Sequence, residues 1–131
     1  MAINNPYKEY QQQSVLTATP EELTLMLYNG CIKFTKQAIV AIQKQDMQCA
    51  NTAILKAQDI VSELMGSLDM QYDISKDLMA IYDFIVTSLI DANIKKDENV
   101  LKEVLELMTE LRDTWGQAIK ITRKQRYRGN V

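Results

Sequence analysis

The residues that could do chemistry in this chain lack the partner that would activate most of them, because its 131 residues include no histidine. Ser–His and Cys–His nucleophiles, H-E-x-x-H zinc sites and the E-x-x-H di-iron pattern of helical bundles all require that side chain and are excluded. Cys31 and Cys49 belong to no C-x-x-C pair and are too few for a disulfide framework, which points to a reducing compartment. Asp59 with Glu63, and Glu103 with Glu106 and Glu110, recur at helical spacing but opposite the apolar stripes, so they read as solvated surface. There is no G-x-x-x-x-G-K-[ST] loop to cradle a nucleotide. The sequence therefore predicts no enzyme, with no catalytic, cofactor-binding or metal-binding residues and no cofactor.

Charge narrows the partners further. The formal net charge is −2, but Lys120, Arg123, Lys124, Arg126 and Arg128 all follow the last acidic residue, Asp113. Without them residues 1–119 hold ten basic against 17 acidic side chains, a net −7. An acidic body with a short basic tail is a poor nucleic-acid binder as a whole. The N-terminus "MAINNPYKEYQQQ" has no charged start followed by an apolar run, and no stretch approaches the roughly twenty apolar residues that span a bilayer. The expectation is a cytoplasmic protein without membrane insertion.

The elements that must position any site are helices. Both prolines lie in the first 20 residues, and no strand-length alternation bounded by hairpin turns is present. Thr19-Pro20-Glu21-Glu22 opens helix one with a capping box, and that helix is expected to reach about Lys44. Asp46 starts a second, from about Met47 to Met65; Asp73 or Ser75 starts a third, ending near Asn93; Asp97 caps a fourth, from Glu98 to at least Ile119. Short links between four amphipathic helices predict an all-α, antiparallel four-helix bundle over residues 19–120. A short helical or extended cap over residues 1–18 precedes it, and a basic tail, 121–131, follows.

Helix two carries one clean stripe, with Ala50, Ala53, Ile54, Ala57, Val61 and Leu64 among its members. Helix four carries a broader one through Val100, Val104, Leu107, Met108, Leu111, Trp115 and Ala118. Helix one does not fit on one face. Leu23, Met26, Leu27, Gly30, Cys31, Phe34, Ala38 and Ala41 form the expected core stripe, while Leu25, Tyr28, Ile32 and Ile39 fall on another side. Helix three behaves similarly: Ile74, Leu78, Ile81, Ile85, Leu89 and Ala92 face the core, and Met79, Val86 and Ile90 do not. Leu101 and Leu105 form a further edge on helix four. Two explanations compete. A helix touching two neighbours needs a wide stripe; alternatively, the surplus is a groove for amphipathic helices of another protein, with Tyr7, Tyr10, Val15 and Leu16 as its lid.

Asn5-Pro6-Tyr7 with Tyr10, Thr17-Ala18, Pro20, Met26-Leu27-Tyr28 with Gly30, Ala57-Gln58-Asp59-Ile60, Ser67-Leu68-Asp69, Ile81-Tyr82-Asp83-Phe84 and Leu111-Arg112 with Trp115 occur in this order. The series resembles the flagellin-specific secretion chaperone FliS family over about residues 4–120. Asn29 and Phe84 depart from it, standing where the family commonly has an acidic residue and a tyrosine. The resemblance implies a four-helix bundle around which the C-terminal segment of flagellin binds in an extended, partly helical form, so that premature polymerisation is prevented and the client stays competent for flagellar type III export. It also implies that the Tyr7–Tyr10 segment moves on binding and aids recognition by the export apparatus. On this basis Leu25, Tyr28, Ile32, Ile39, Met79, Val86, Ile90, Leu101 and Leu105 are expected to bind flagellin. The partners would be flagellin and the export apparatus, with the chaperone a monomer or weak homodimer. The rival is a homodimeric helical-bundle interaction or regulatory protein in which the spare stripes pair between copies.

Overall fold

The computed structural model describes residues 17–129, and the segment holding Tyr7, Tyr10, Val15 and Leu16 lies outside it. Four helices follow one another: α1 (Pro20–Gln43), α2 (Met47–Gly66), α3 (Asp73–Lys95) and α4 (Glu98–Gly129). α1 packs on α2 and α4, and α3 packs on the same two, so α1 and α3 face each other across the bundle diagonal. This is the antiparallel four-helix bundle that the spacing predicts.

The helix starts follow local chemistry. Thr19 Oγ1 accepts from the Glu22 amide at 3.2 Å, and the Glu22 carboxylate accepts in return from the Thr19 amide, which completes the capping box. Asp46 Oδ1 accepts from the Cys49 amide at 3.1 Å, and Asp97 Oδ1 from the Asn99 amide at 3.0 Å. α3 begins at Asp73 without a side-chain cap, and Asp73 in its first turn suits the positive end of the helix dipole.

The links are short and two of them use left-handed backbone at residues other than glycine: Gln45 with φ 62° and Lys96 with φ 51°. Lys96 recovers part of the cost, because its Nζ donates to the main-chain and side-chain oxygens of Asn93 at 2.6 and 2.7 Å. Gln45 is exposed and its side chain makes no hydrogen bond among the described residues. A left-handed L-residue costs about 1–2 kcal/mol, whereas glycine's extra unfolded freedom costs about 0.5–1. Gln45→Gly is therefore expected to stabilise the bundle by roughly 0.5–1 kcal/mol, read as a higher urea midpoint at unchanged slope. A lower midpoint would show that the turn is not strained.

The core is built from Ile54, Val61, Leu64, Ile85, Leu89, Leu101, Val104 and Met108 with small residues between them. Alanines and Gly30 bring α1 and α2 close: a Cβ built on Gly30 would lie 3.0 Å from Ile60 Cδ1. α4, expected to reach at least Ile119, stays helical to Gly129. Trp115 Nε1 donates to the Glu21 carbonyl at 2.9 Å, Arg123 pairs with Glu22, and Arg126 lies 3.5 Å from the Glu21 carboxylate. These contacts lay the start of the basic tail along α1 as continued helix, although exposed pairs of this kind add little stability. The Glu21 carboxyl is held below its usual range, first by a backbone hydrogen bond, then by Thr19 and Arg126.

Candidate functional site

Placing the nine residues proposed for flagellin contact corrects the expectation for helix one. Tyr28, Ile32 and Ile39 are buried, and Leu101 of α4 is fully enclosed. The physical reason is two-sided packing. The flank with Leu25, Asn29, Ile32 and Ile39 turns toward α4, as the Arg112 Nη1 bond to Asn29 Oδ1 at 3.4 Å shows. The flank with Leu27, Gly30, Phe34 and Ala38 turns toward α2, as Gly30 against Ile60 shows. Tyr28, Cys31 and Thr35 lie between the two, facing the bundle axis. Helix one thus has two apolar stripes because it has two neighbours. Met26, assigned to the core stripe, is exposed instead, on the outer side between the two flanks.

The other five are not brought together. Leu25 is half-buried in a polar recess between α1 and α4 that also involves Asn29, Arg112, Asp113 and Lys120. Leu105 is half-buried and packs against the core. Met79, Val86 and Ile90 recur on the flank of α3 that carries Asn93, whose amide donates to Asn51 Oδ1 of α2 at 2.8 Å, so they follow the α2–α3 seam. Val86 supports the core, Ile90 is exposed, and Ile94, one turn on, is 77% exposed. Leu55 of α2 is exposed as well.

An opening onto apolar surface lies elsewhere, between α3 and α4, the adjacent pair that packs least closely. A cleft of about 500 Å³ runs between Ile74, Leu78 and Ile81 of α3 and Leu107, Leu111 and Trp115 of α4, with Tyr28 also lining it. Ile74, read from the sequence as a core residue, is 63% exposed here. The stripe on helix three is apolar as expected, but the cleft between α3 and α4 leaves its first member open to solvent, while Leu78 and Ile81 further along are half-buried. Sequence signals existed: Met70, Tyr72 and Ile74 are three apolar residues around one helix start, and all are exposed.

Beneath the cleft the core holds a polar pair. The hydroxyls of Tyr28 and Tyr82 lie 2.5 Å apart across the α1–α3 diagonal, with ring centroids 6.4 Å apart. Both residues are 2% exposed. Burial raises the pKa of both phenols, and for Tyr82 the hydrogen bond to Tyr28 raises it further. One turn along α1, Thr35 Oγ1 donates to the Cys31 carbonyl at 2.7 Å. Burial pushes the Cys31 thiol up to about 12, against a smaller opposing effect of Thr35, so it is a packed apolar residue and a poor nucleophile. Among the described residues no group of three or more histidine, cysteine, aspartate or glutamate side chains could hold a metal ion, and no helix is long and apolar enough to cross a membrane.

The geometry defines a four-helix bundle whose distinctive surface is an apolar recess. Comparison with known proteins sharpens that class. The family model described as flagellar protein FliS matches residues 3–122. The flagellar secretion chaperone FliS of Bacillus subtilis (strain 168) is 50% identical over 127 residues, covering 97% of this chain and 96% of the relative. The protein of the same description from Vibrio cholerae serotype O1 is 33% identical over 114 residues, covering 85% and 84% respectively. A solved structure described as a flagellar chaperone from bacteria superposes with a TM-score of 0.73 at 20% identity, covering 88% of this chain and 95% of the other, and so shares the fold. The chain belongs to the FliS family of flagellar secretion chaperones.

Proposed function

We propose that this protein is a cytoplasmic export chaperone that binds the C-terminal amphipathic segment of flagellin, blocks its premature polymerisation and holds it ready for flagellar type III export. The observation that carries the proposal is the α3–α4 cleft: in a member of this family, an apolar recess of about 500 Å³ opens to solvent between two helices. An amphipathic segment with apolar residues every three or four positions fits such a recess. The exposed row along the α2–α3 seam, Leu55, Ile90 and Ile94, gives the same segment a second place to lie as it passes around α3.

Binding by a segment that orders on contact gives up conformational entropy, so affinity per unit area is modest and release stays possible. Release is then driven by export machinery rather than by chemistry in this chain. Tyr7, Tyr10, Val15 and Leu16 take the role of cap and of contact with the export apparatus. Leu25, Met79, Val86, Ile90 and Leu105 stay in the proposed client surface together with Tyr28, which lines the cleft from below, whereas Ile32, Ile39 and Leu101 would support it from inside.

Titration calorimetry with full-length flagellin and with flagellin shortened at its C-terminus tests the proposal. One-to-one binding to the full-length protein, lost on truncation, is expected. Affinity that survives removal of the segment would defeat it.

A further inference from the structure

The Tyr28–Tyr82 pair holds one hydrogen more than it uses. Each phenol has one hydrogen and can also accept, and a single bond joins them. Whichever hydroxyl accepts that bond keeps its own hydrogen, and neither oxygen has another hydrogen-bond partner among the described residues. The two arrangements are not equivalent. If Tyr28 donates, the spare hydrogen stays on Tyr82, which does not line the cleft. If Tyr82 donates, the spare hydrogen stays on Tyr28, which does. An unmet buried donor costs about 1–3 kcal/mol, so the arrangement that gives the hydrogen access to an outside acceptor is preferred once the cleft is occupied.

The cleft is lined mainly by apolar side chains, Leu78, Ile81, Leu107 and Leu111 among them, and its polar residues, Glu110 and Thr114, bring no positive charge. A carboxylate there would lose its hydration without a cation to meet it, which is costly. Carbonyls inside a bound helix are already used by its own amides. What remains is a neutral oxygen, from an Asn, Gln, Ser or Thr side chain or a carbonyl freed where the helix ends.

We propose that Tyr28 is the register-setting donor of the cleft, giving its hydroxyl hydrogen to a neutral oxygen on the otherwise apolar face of the bound segment, while Tyr82 donates its own hydrogen to the Tyr28 oxygen. The assignment rests on the proposal that the cleft receives an amphipathic flagellin segment. It gives the cleft a means of discrimination that apolar contact lacks: a segment displaced along the groove would bury the hydrogen unmet.

The test is titration of the flagellin C-terminal segment into the wild-type chain, Tyr28→Phe and Tyr82→Phe, with a urea melt of each. Both variants break the pair and are expected to melt earlier than wild type. Only Tyr28→Phe should weaken binding, by about 3- to 10-fold, the range of one hydrogen bond; Tyr82→Phe should stay within about twofold, since Tyr28 keeps its hydrogen. Should Tyr28→Phe not fold, the double variant Tyr28→Phe/Tyr82→Phe leaves no orphaned hydroxyl and should show the same weakening. Unchanged affinity in a folded variant lacking the Tyr28 hydroxyl, or equal loss in both single variants, overturns the assignment. No binding to wild type would instead sink the functional proposal, and the assignment with it.

Discussion

Raising the pH from 9 to 11 is expected to cost the bundle a large part of its stability while leaving it unaffected between pH 7 and 8. The cause is three buried acids, Cys31, Tyr28 and Tyr82, all held protonated by burial. In the unfolded chain the thiol ionises near its ordinary 9.0 and the phenols near 10.0. In the fold Cys31 waits until about 12, and the tyrosines are likewise raised. Below pH 9 both states hold these protons and no pH dependence follows. Above it the unfolded state binds fewer protons than the native state, so stability falls as pH rises. Each such group contributes a slope of about 1.4 kcal/mol per pH unit, so Cys31 alone removes on the order of 3 kcal/mol by pH 11. The tyrosines add to the slope above pH 10. Against a typical total of about 5–15 kcal/mol this is enough to bring the protein near unfolding. Urea melts at pH 7, 9, 10 and 11 read the effect, and Cys31→Ala should flatten the portion between 9 and 10. A stability that stays level to pH 11 would show that these groups are not sealed.

The same burial explains why the fold was legible in the sequence and the site was only partly so. Helix existence follows from local chemistry: the Thr19–Glu22 capping box, Asp46 and Asp97 act within four residues, and their hydrogen bonds are the expected ones. Helix two is unambiguous because its small residues lie on one stripe, and Ala50, Ala53 and Ala57 are buried there. Which stripe is left over is not local. It depends on how far apart two helices stand, and spacing within one helix contains no information on that. Tyr28 and Ile32 look surplus in isolation, yet the bundle encloses them, Tyr28 toward its axis and Ile32 on the α4 side; Ile74 looks like core, yet it is exposed at the cleft between α3 and α4. The family resemblance points to a class of protein without repairing this, since a shared motif does not say which of its residues face inward. Phe84 shows the limit on both counts: it lies within a recognised motif, is 59% exposed and belongs to neither groove.

Ile74→Asp is expected to cut flagellin binding on the order of 100-fold while leaving the bundle as stable as wild type. Position 74 is the second residue of α3, so a carboxylate there lies near the positive end of the helix dipole and favours the fold slightly. The side chain is largely exposed, so the replacement opens no cavity. Binding is affected in the opposite direction. Covering an isoleucine contributes about 1.5–3 kcal/mol, and a charge in its place must be dehydrated against Leu78 and Ile81 without a partner. Together these correspond to roughly two powers of ten or more in affinity. Ile121→Asp is the matched control, because Ile121 is comparably exposed and lies outside the cleft; its effect should stay within a few fold. Ile94→Asp separates the two grooves, with a loss smaller than that of Ile74→Asp if the cleft is the principal seat and the seam an extension of it. Equal affinity of Ile74→Asp and wild type would remove the α3–α4 cleft from the client's path, because the variant places a charge on an exposed apolar wall of that cleft while leaving the rest of the bundle unchanged.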